Sequence, residues 1–211
     1  MGSKITITTK SISVIILIFI PILVYSQNSR INIYSSGVYE IPYGDFRNPD
    51  IYPGKGNAND GASFNLGSQF KVYEKFFIGV ESDYHKFGPR KKVANYEVYT
   101  SLYTFILNGS YYYQLNDFRP YALFGLGISA TSLNVKTDFF KESSTQIVPF
   151  LNISLGCDMM VTEHAALFGL IRWSDALIEG RNYSYDHFQT LTPEFNASFI
   201  GFGAGIKFWI Y

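Results

Sequence analysis

The sequence predicts an all-β chain: eight antiparallel strands closed up-and-down into a transmembrane barrel, preceded by a signal peptide. Three observations carry this prediction. The chain opens on a basic and then apolar segment that differs from everything after it. Beyond it, bulky apolar residues alternate with small or charged ones in segment after segment, the period-two signature of strands. Tight turns and long polar connections then alternate between those segments, as they do when short turns gather at one end of a membrane barrel and long loops at the other.

The amino-terminal segment comes first. Lys4 and Lys10 make it positive with no acidic residue, and residues 12–25 (ISVIILIFIPILVY) are almost wholly apolar. Val24 and Ser26 precede an expected cut at Gln27, the layout of a secretory signal. An apolar run of about 14 residues, broken by Pro21, falls short of the roughly 20 that a spanning helix needs. The expected organisation is therefore a signal peptide over 1–26 and one barrel domain over 27–211. No Cys directly follows the apolar run, so a lipoprotein would have no attachment site.

The composition agrees with a membrane interface. The chain is 47% hydrophobic, 16% charged and 18% aromatic, with 17 Tyr and 19 Phe. That is more aromatic surface than a soluble core of this size needs, and aromatic rings with one wet end suit the edges of a bilayer. Without Lys4 and Lys10 the chain keeps 15 basic against 17 acidic residues, so the basic excess of a nucleic-acid binder is missing. Cys157 stands alone, which excludes an intramolecular disulfide, and its apolar surroundings suit a small hydrophobe.

Eight segments read as strands. Residues 30–42 alternate least regularly. In 62–72, Phe64, Leu66, Phe70 and Val72 oppose Asn65, Gly67, Gln69 and Lys71. In 76–86, Phe76, Ile78, Val80 and Tyr84 oppose Gly79, Glu81, Asp83 and His85. In 98–116, Tyr103, Phe105, Leu107 and Tyr111 oppose Thr104, Asn108 and Ser110, so this uncharged run is a strand and not a membrane helix. Residues 121–131, 149–159 and 165–175 repeat the pattern through Phe124, Ile153 and Ile171. In 198–211, Phe202, Ile206 and Phe208 alternate with Gly201, Gly205 and Lys207. Between them lie short turns at 73–75, 114–119 and 160–164, and long connections at 44–61, 87–97, 133–146 and 176–194.

The small-polar face carries Lys71, Glu81, Asp83, Asp158, Arg172 and Lys207. A soluble barrel would fill its interior with apolar bulk. Small groups beside balanced charges instead suit a narrow polar lumen, where each charge must be paired. Arg172 is the expected hub, since its planar guanidinium can hold two carboxylates at once. The bulky face, including Phe70, Ile78, Phe105, Phe124, Ile153 and Ile206, is expected to meet lipid.

Three segments carry a family resemblance: GVYEIPYGDF (37–46), RPYALFGLGI (119–128) and the closing GFGAGIKFWIY (201–211). They resemble first-strand, mid-barrel and last-strand segments of small OmpA/OmpX-like outer-membrane β-barrel proteins. The resemblance implies a porin-like fold in the bacterial outer membrane, with outer-membrane lipids as surroundings. It also implies that the barrel-assembly machinery reads the last strand, which in that family ends on an outward aromatic residue. Here Ile210 continues the apolar face and Tyr211 lies one step beyond.

Few residues invite chemistry. His85 lies beside Glu81 and Asp83, a set that could ligate a metal but fits a lumen salt-bridge network better. His164 sits in a short turn and His187 in the last long connection. Some barrels of this resemblance modify lipid A, and Arg172-Trp173-Ser174-Asp175 supplies a Ser and an acid. The base is missing locally, with His187 as the remaining source. Gly201, Gly203 and Gly205 alternate along one strand and open no helix, so they make no phosphate loop. The sequons at Asn108 and Asn152 fall inside expected strands, which makes chance matches of them. No catalytic, cofactor or metal site is expected. The leading reading is a structural or surface-interaction barrel with a packed lumen and no open pore. The alternatives are a barrel-borne lipid A-modifying hydrolase and a secreted lipocalin-like binder of apolar ligands.

Overall fold

The computed structural model describes residues 31–47, 58–89, 97–115, 117–136, 141–178, 182–185, 188–191 and 195–210. The expected signal peptide, Tyr211 and His187 lie outside them. Among these residues ten strands run in chain order: β1 Ile31–Pro42, β2 Ala58–Tyr73, β3 Phe76–Pro89, β4 Glu97–Tyr112, β5 Phe118–Lys136, β6 Lys141–Met160, β7 Ala165–Ile178, β8 Asn182–Tyr185, β9 Phe188–Leu191 and β10 Phe195–Ile210. Eight of them close an antiparallel barrel in the order β1-β10-β7-β6-β5-β4-β3-β2, while β8 and β9 form a separate two-stranded sheet.

Closure is made by β1 and β10, paired from Ile31↔Ile210 to Pro42↔Phe199. This leaves no open edge at membrane depth, as lipid requires of any backbone that crosses it. No helix among the described residues is long and apolar enough to cross a membrane; the crossing is made by strands. All eight expected segments are barrel strands.

Alternation fixes which residues face out. Ile78, Phe105, Phe124, Ile153 and Ile206 are exposed on the outer surface, and Phe70 lies half-buried on the same face. Aromatic pairs mark both margins of this belt. Phe76 and Tyr111 meet at 4.9 Å beside the short-turn end. Tyr84 and Tyr103 meet at 4.5 Å toward the long connections. Tyr84 lies eight residues along β3 from Phe76, roughly 20 Å along the barrel axis at about 3.4 Å per residue and 40° of tilt. That is close to the ~25 Å apolar band of an outer-membrane barrel. A lipocalin-like binder needs the opposite polarity, a solvated exterior around an apolar cavity.

The strands run further out than the alternation of apolar residues indicates. The connection expected at 133–146 is mostly ladder, with β5 and β6 paired to Lys136↔Lys141. Above the belt a strand is solvated on its outer face, so it needs no apolar alternation to stay paired. Ser132 and Thr145 show this, sharing a 2.8 Å hydroxyl hydrogen bond across that exposed ladder. For the same reason β3 reaches Pro89 and β4 starts at Glu97.

Candidate functional site: a charge-paired lumen

The inward faces of the strands converge on a buried ionic network. Arg172 on β7 is its centre, with a side chain only 1% exposed. Its Nη2 donates to Glu81 Oε1 at 2.6 Å and its Nη1 to Asp83 Oδ2 at 3.0 Å. Nε donates to Ser154 Oγ at 3.4 Å. Glu81 and Asp83 are two residues apart on β3, so both point inward and present their carboxylates side by side. That spacing suits the two arms of a guanidinium, which a lysine could not span. The second carboxylate oxygen of Glu81 accepts from the hydroxyl of Tyr34 on β1.

Toward the long connections the network continues through His85. Its Nδ1 lies 2.8 Å from Glu40 Oε1, and its Nε2 lies 3.6 Å from Asp83 Oδ2. Ser63 Oγ donates to the same Glu40 oxygen at 2.7 Å. Toward the short turns, Lys207 Nζ lies 2.8 Å and 2.9 Å from the two oxygens of Asp158 and donates to Tyr112 Oη at 2.8 Å. Aromatic rings surround that ammonium: Tyr121 at 4.4 Å, Phe168 at 4.9 Å and Tyr112 at 5.0 Å from their centroids. Their negative faces offset part of the desolvation of a buried lysine.

Amides link the two halves. Tyr112 Oη donates to Gln69 Oε1 at 3.1 Å, Gln69 Nε2 to Asn108 Oδ1 at 2.9 Å, and Asn108 Nδ2 to Tyr34 Oη at 3.2 Å. A hydrogen-bonded chain therefore runs through the lumen from Asp158 to Asp83, and the 3.6 Å approach of His85 to Asp83 carries the network on to Glu40. The glycines among these residues make room for it. A Cβ at Gly67 would strike the ring of Tyr34, so only glycine lets that ring approach β2 so closely. A void between Arg172 and Lys207 has room for about one water.

Apolar layers close the lumen above and below this polar middle. On the short-turn side Phe77, Tyr112, Tyr121, Leu123 and Trp209 pack together, and Arg119 lies over the Trp209 ring at 5.1 Å. On the other side Phe87, Leu102, Ile106, Val148, Phe150 and Phe199 form the larger cluster. Phe46, fully buried, enters it from the first long connection and meets Phe87 edge-to-face at 4.9 Å. A 3-10 turn over Gly44–Phe46 delivers that ring. It starts at Gly44, whose φ of +59° is open to glycine at little cost. Tyr43, just before it, bonds through its hydroxyl to the Trp173 indole N–H.

Five of the six residues singled out on the polar face thus join in pairs or triads: Glu81, Asp83 and Arg172 in one, Asp158 and Lys207 in the other. Lys71 does not. It stands half-buried near the short-turn end, and no salt bridge among the described residues includes it. Glu40 and the inward tyrosines belong to the network although their sequence surroundings mark them weakly. Ser174 is buried and faces the lumen beside Asn152, whereas Asp175 faces the other way and accepts from Ser198 Oγ at 2.6 Å. A nucleophile and an acid on opposite faces of one strand do not make a hydrolytic pair. His164 is exposed at a turn. Among the described residues no group of three or more His, Cys, Asp or Glu could hold a metal ion.

The chain is similar in structure to neisserial surface protein A, with 14% identity, a TM-score of 0.50, and 85% of this chain and 96% of that one covered. It is also similar to the N-terminal β-barrel domain of Pseudomonas aeruginosa OprF (13% identity, TM-score 0.47, 85% and 97% covered). A further match is Ail, the attachment invasion locus protein of Yersinia pestis (12% identity, TM-score 0.47, 86% and 97% covered). No family model matches the chain, and no curated protein matches it in sequence. At such identities the likeness is one of fold, and the fold is that of small OmpA/OmpX-like barrels. A closed antiparallel barrel with an apolar exterior and a polar interior is an outer-membrane architecture.

Proposed function

We propose that this protein serves the bacterial outer membrane as a non-enzymatic barrel: a rigid, closed body that holds its long connections at the cell surface for structural or surface-interaction roles. The observation that supports this reading most is the filled lumen. The buried charges are paired, and apolar layers lie above and below them, so the interior braces the wall and offers neither a path for solutes nor an exposed nucleophile beside a base. The wall in turn sits in outer-membrane lipid through the belt that includes Phe105, Phe124 and Ile153, and reaches it through the barrel-assembly machinery. Extraction and turnover together test the proposal. The mature protein should need detergent to leave the membrane, should run as a compact folded band that shifts on boiling, and should release no fatty acid from lipid A. Solubility without detergent, or lipid A hydrolysis lost on Ser174→Ala, would overturn it.

A further inference from the structure

One stretch of the barrel wall has a partner on one side only. On its β5 side β6 is paired without interruption out to Lys136↔Lys141. On its β7 side the outermost pair is Phe150↔Ala176. Continued two residues, that register brings the end of β7, Ile178, level with Val148. The edge of residues 141–147 therefore has no strand beside it among the described residues. It projects past the apolar belt, where the Ser132–Thr145 hydroxyl pair already lies in water. Such an edge is a row of unpaired backbone donors and acceptors, which proteins cover to avoid unwanted strand addition.

The same register names a strand that would cover it. The β7–β10 ladder ends at Ile178↔Phe195, and the β8–β9 ladder begins at Asn182↔Leu191. Asn182 stands four residues after Ile178 and Leu191 four residues before Phe195, so the two ladders are in step by residue count. The two hairpins thus share one register. Extending the β6–β7 register by the same path sets Asn182 opposite Ser144 and Tyr185 opposite Lys141. Tyr185 is the last residue of β8 and Lys141 the first of β6, so the two strands also end at one level.

We propose that the β8–β9 hairpin is the outward continuation of the β7–β10 hairpin and docks Asn182–Tyr185 on the free edge of β6 at residues 141–144. Docking carries the barrel wall further beyond the membrane and satisfies the β6 backbone with strand from the same chain. Release of the hairpin uncovers a short strand-addition edge at the surface.

Cross-strand disulfides test this, in a Cys157→Ser background so that no other thiol competes. Ser143→Cys with Tyr183→Cys joins two positions the register sets opposite each other, within the Cα separation a disulfide spans. Ser143→Cys with Thr190→Cys is the control, since Thr190 pairs with Tyr183 on β9, one strand further away. Mild oxidation of the folded protein in bilayers should close the first pair within one chain, several-fold more completely than the second. Equal closure of both pairs, closure of neither, or disulfide-linked dimers through the β6 edge would each overturn the proposal. In the protein without cysteine substitutions, amide exchange at Ser143, whose N–H alternates to the free edge while those of residues 142 and 144 face β5 as that of Met160 does, should be slowed as in a paired strand. Exchange there at the rate of an open edge would overturn it too.

Discussion

Removing the Arg172 side chain should be among the most damaging single changes in this barrel. In Arg172→Ala, Glu81 and Asp83 lose the cation that holds them at 2.6 Å and 3.0 Å and stay buried two residues apart on one strand. Breaking a buried ion pair by deleting one partner costs about 3–5 kcal/mol, mostly because the other charge stays in place uncompensated. Two carboxylates depend on this one guanidinium, which puts the expected loss in the upper part of that range. With a urea dependence of about 1–3 kcal/mol per molar, the unfolding midpoint should fall by at least about 1 M. The assay is reversible urea unfolding in vesicles of one lipid composition, followed by tryptophan fluorescence and by the heat-shifted band. Lys86→Ala is the control, an exposed outward change on the same strand as the two acids, expected to stay within about 0.5 kcal/mol. A triple variant, Arg172→Met with Glu81→Gln and Asp83→Asn, should recover much of the loss, because it removes the stranded charges together with the hub. An Arg172→Ala midpoint equal to that of Lys86→Ala would refute the reasoning, and so would a triple variant less stable than Arg172→Ala.

Other expected outcomes follow from the same geometry. Phe124→Arg or Ile153→Arg places a charge on the exposed belt, which at mid-depth should cost about 2–4 kcal/mol of folding into bilayers in the same urea assay. Unchanged folding would mean that those residues do not face lipid. Phe46→Ala empties a fully buried site in the outer apolar layer, and a loss approaching the ~3–5 kcal/mol typical of such truncations should appear. Gly67→Val drives a branched side chain into the Tyr34 ring, with an expected loss of about 1–3 kcal/mol. In a Tyr34→Ala background, measured against Tyr34→Ala alone, the same Gly67→Val change should cost much less, which would identify that clash as the cause.

The barrel was legible in the sequence because membrane strands obey a strict two-sided rule, and Phe64, Ile78, Phe105 and Phe202 announce the lipid side by bulk. The partners of Arg172 were legible as a set, since charge on the opposite parity has to be neutralised somewhere inside. Their geometry was not, because it depends on which strands meet across the lumen. Glu40 escaped notice for a related reason: β1 alternates least regularly, with Tyr34 and Val38 also pointing inward. Inward Leu102, Ile106, Leu123 and Phe150 show the limit of reading bulk as lipid-facing. They lie on the same parity of their strands as Thr104, Ser129 or Asn152 and fill the lumen above and below its charges. Strand ends were hidden as well, since solvated hairpins such as the outer parts of β5 and β6 need no apolar alternation. Lys71 has the right parity but stands half-buried near the short-turn end and joins no salt bridge among the described residues.

Ion conduction tests the central claim most directly, because the proposed packed lumen, filled by paired charges and flanked by apolar layers, should leave no continuous water path. Purified, refolded protein should be added to planar bilayers at high salt, and its insertion checked by the heat-shifted folded band recovered from matching vesicles. The account predicts that inserted protein gives no stable, reproducible conductance step. A porin-like step of constant size, seen with the unaltered chain and scaling with protein added, would contradict it.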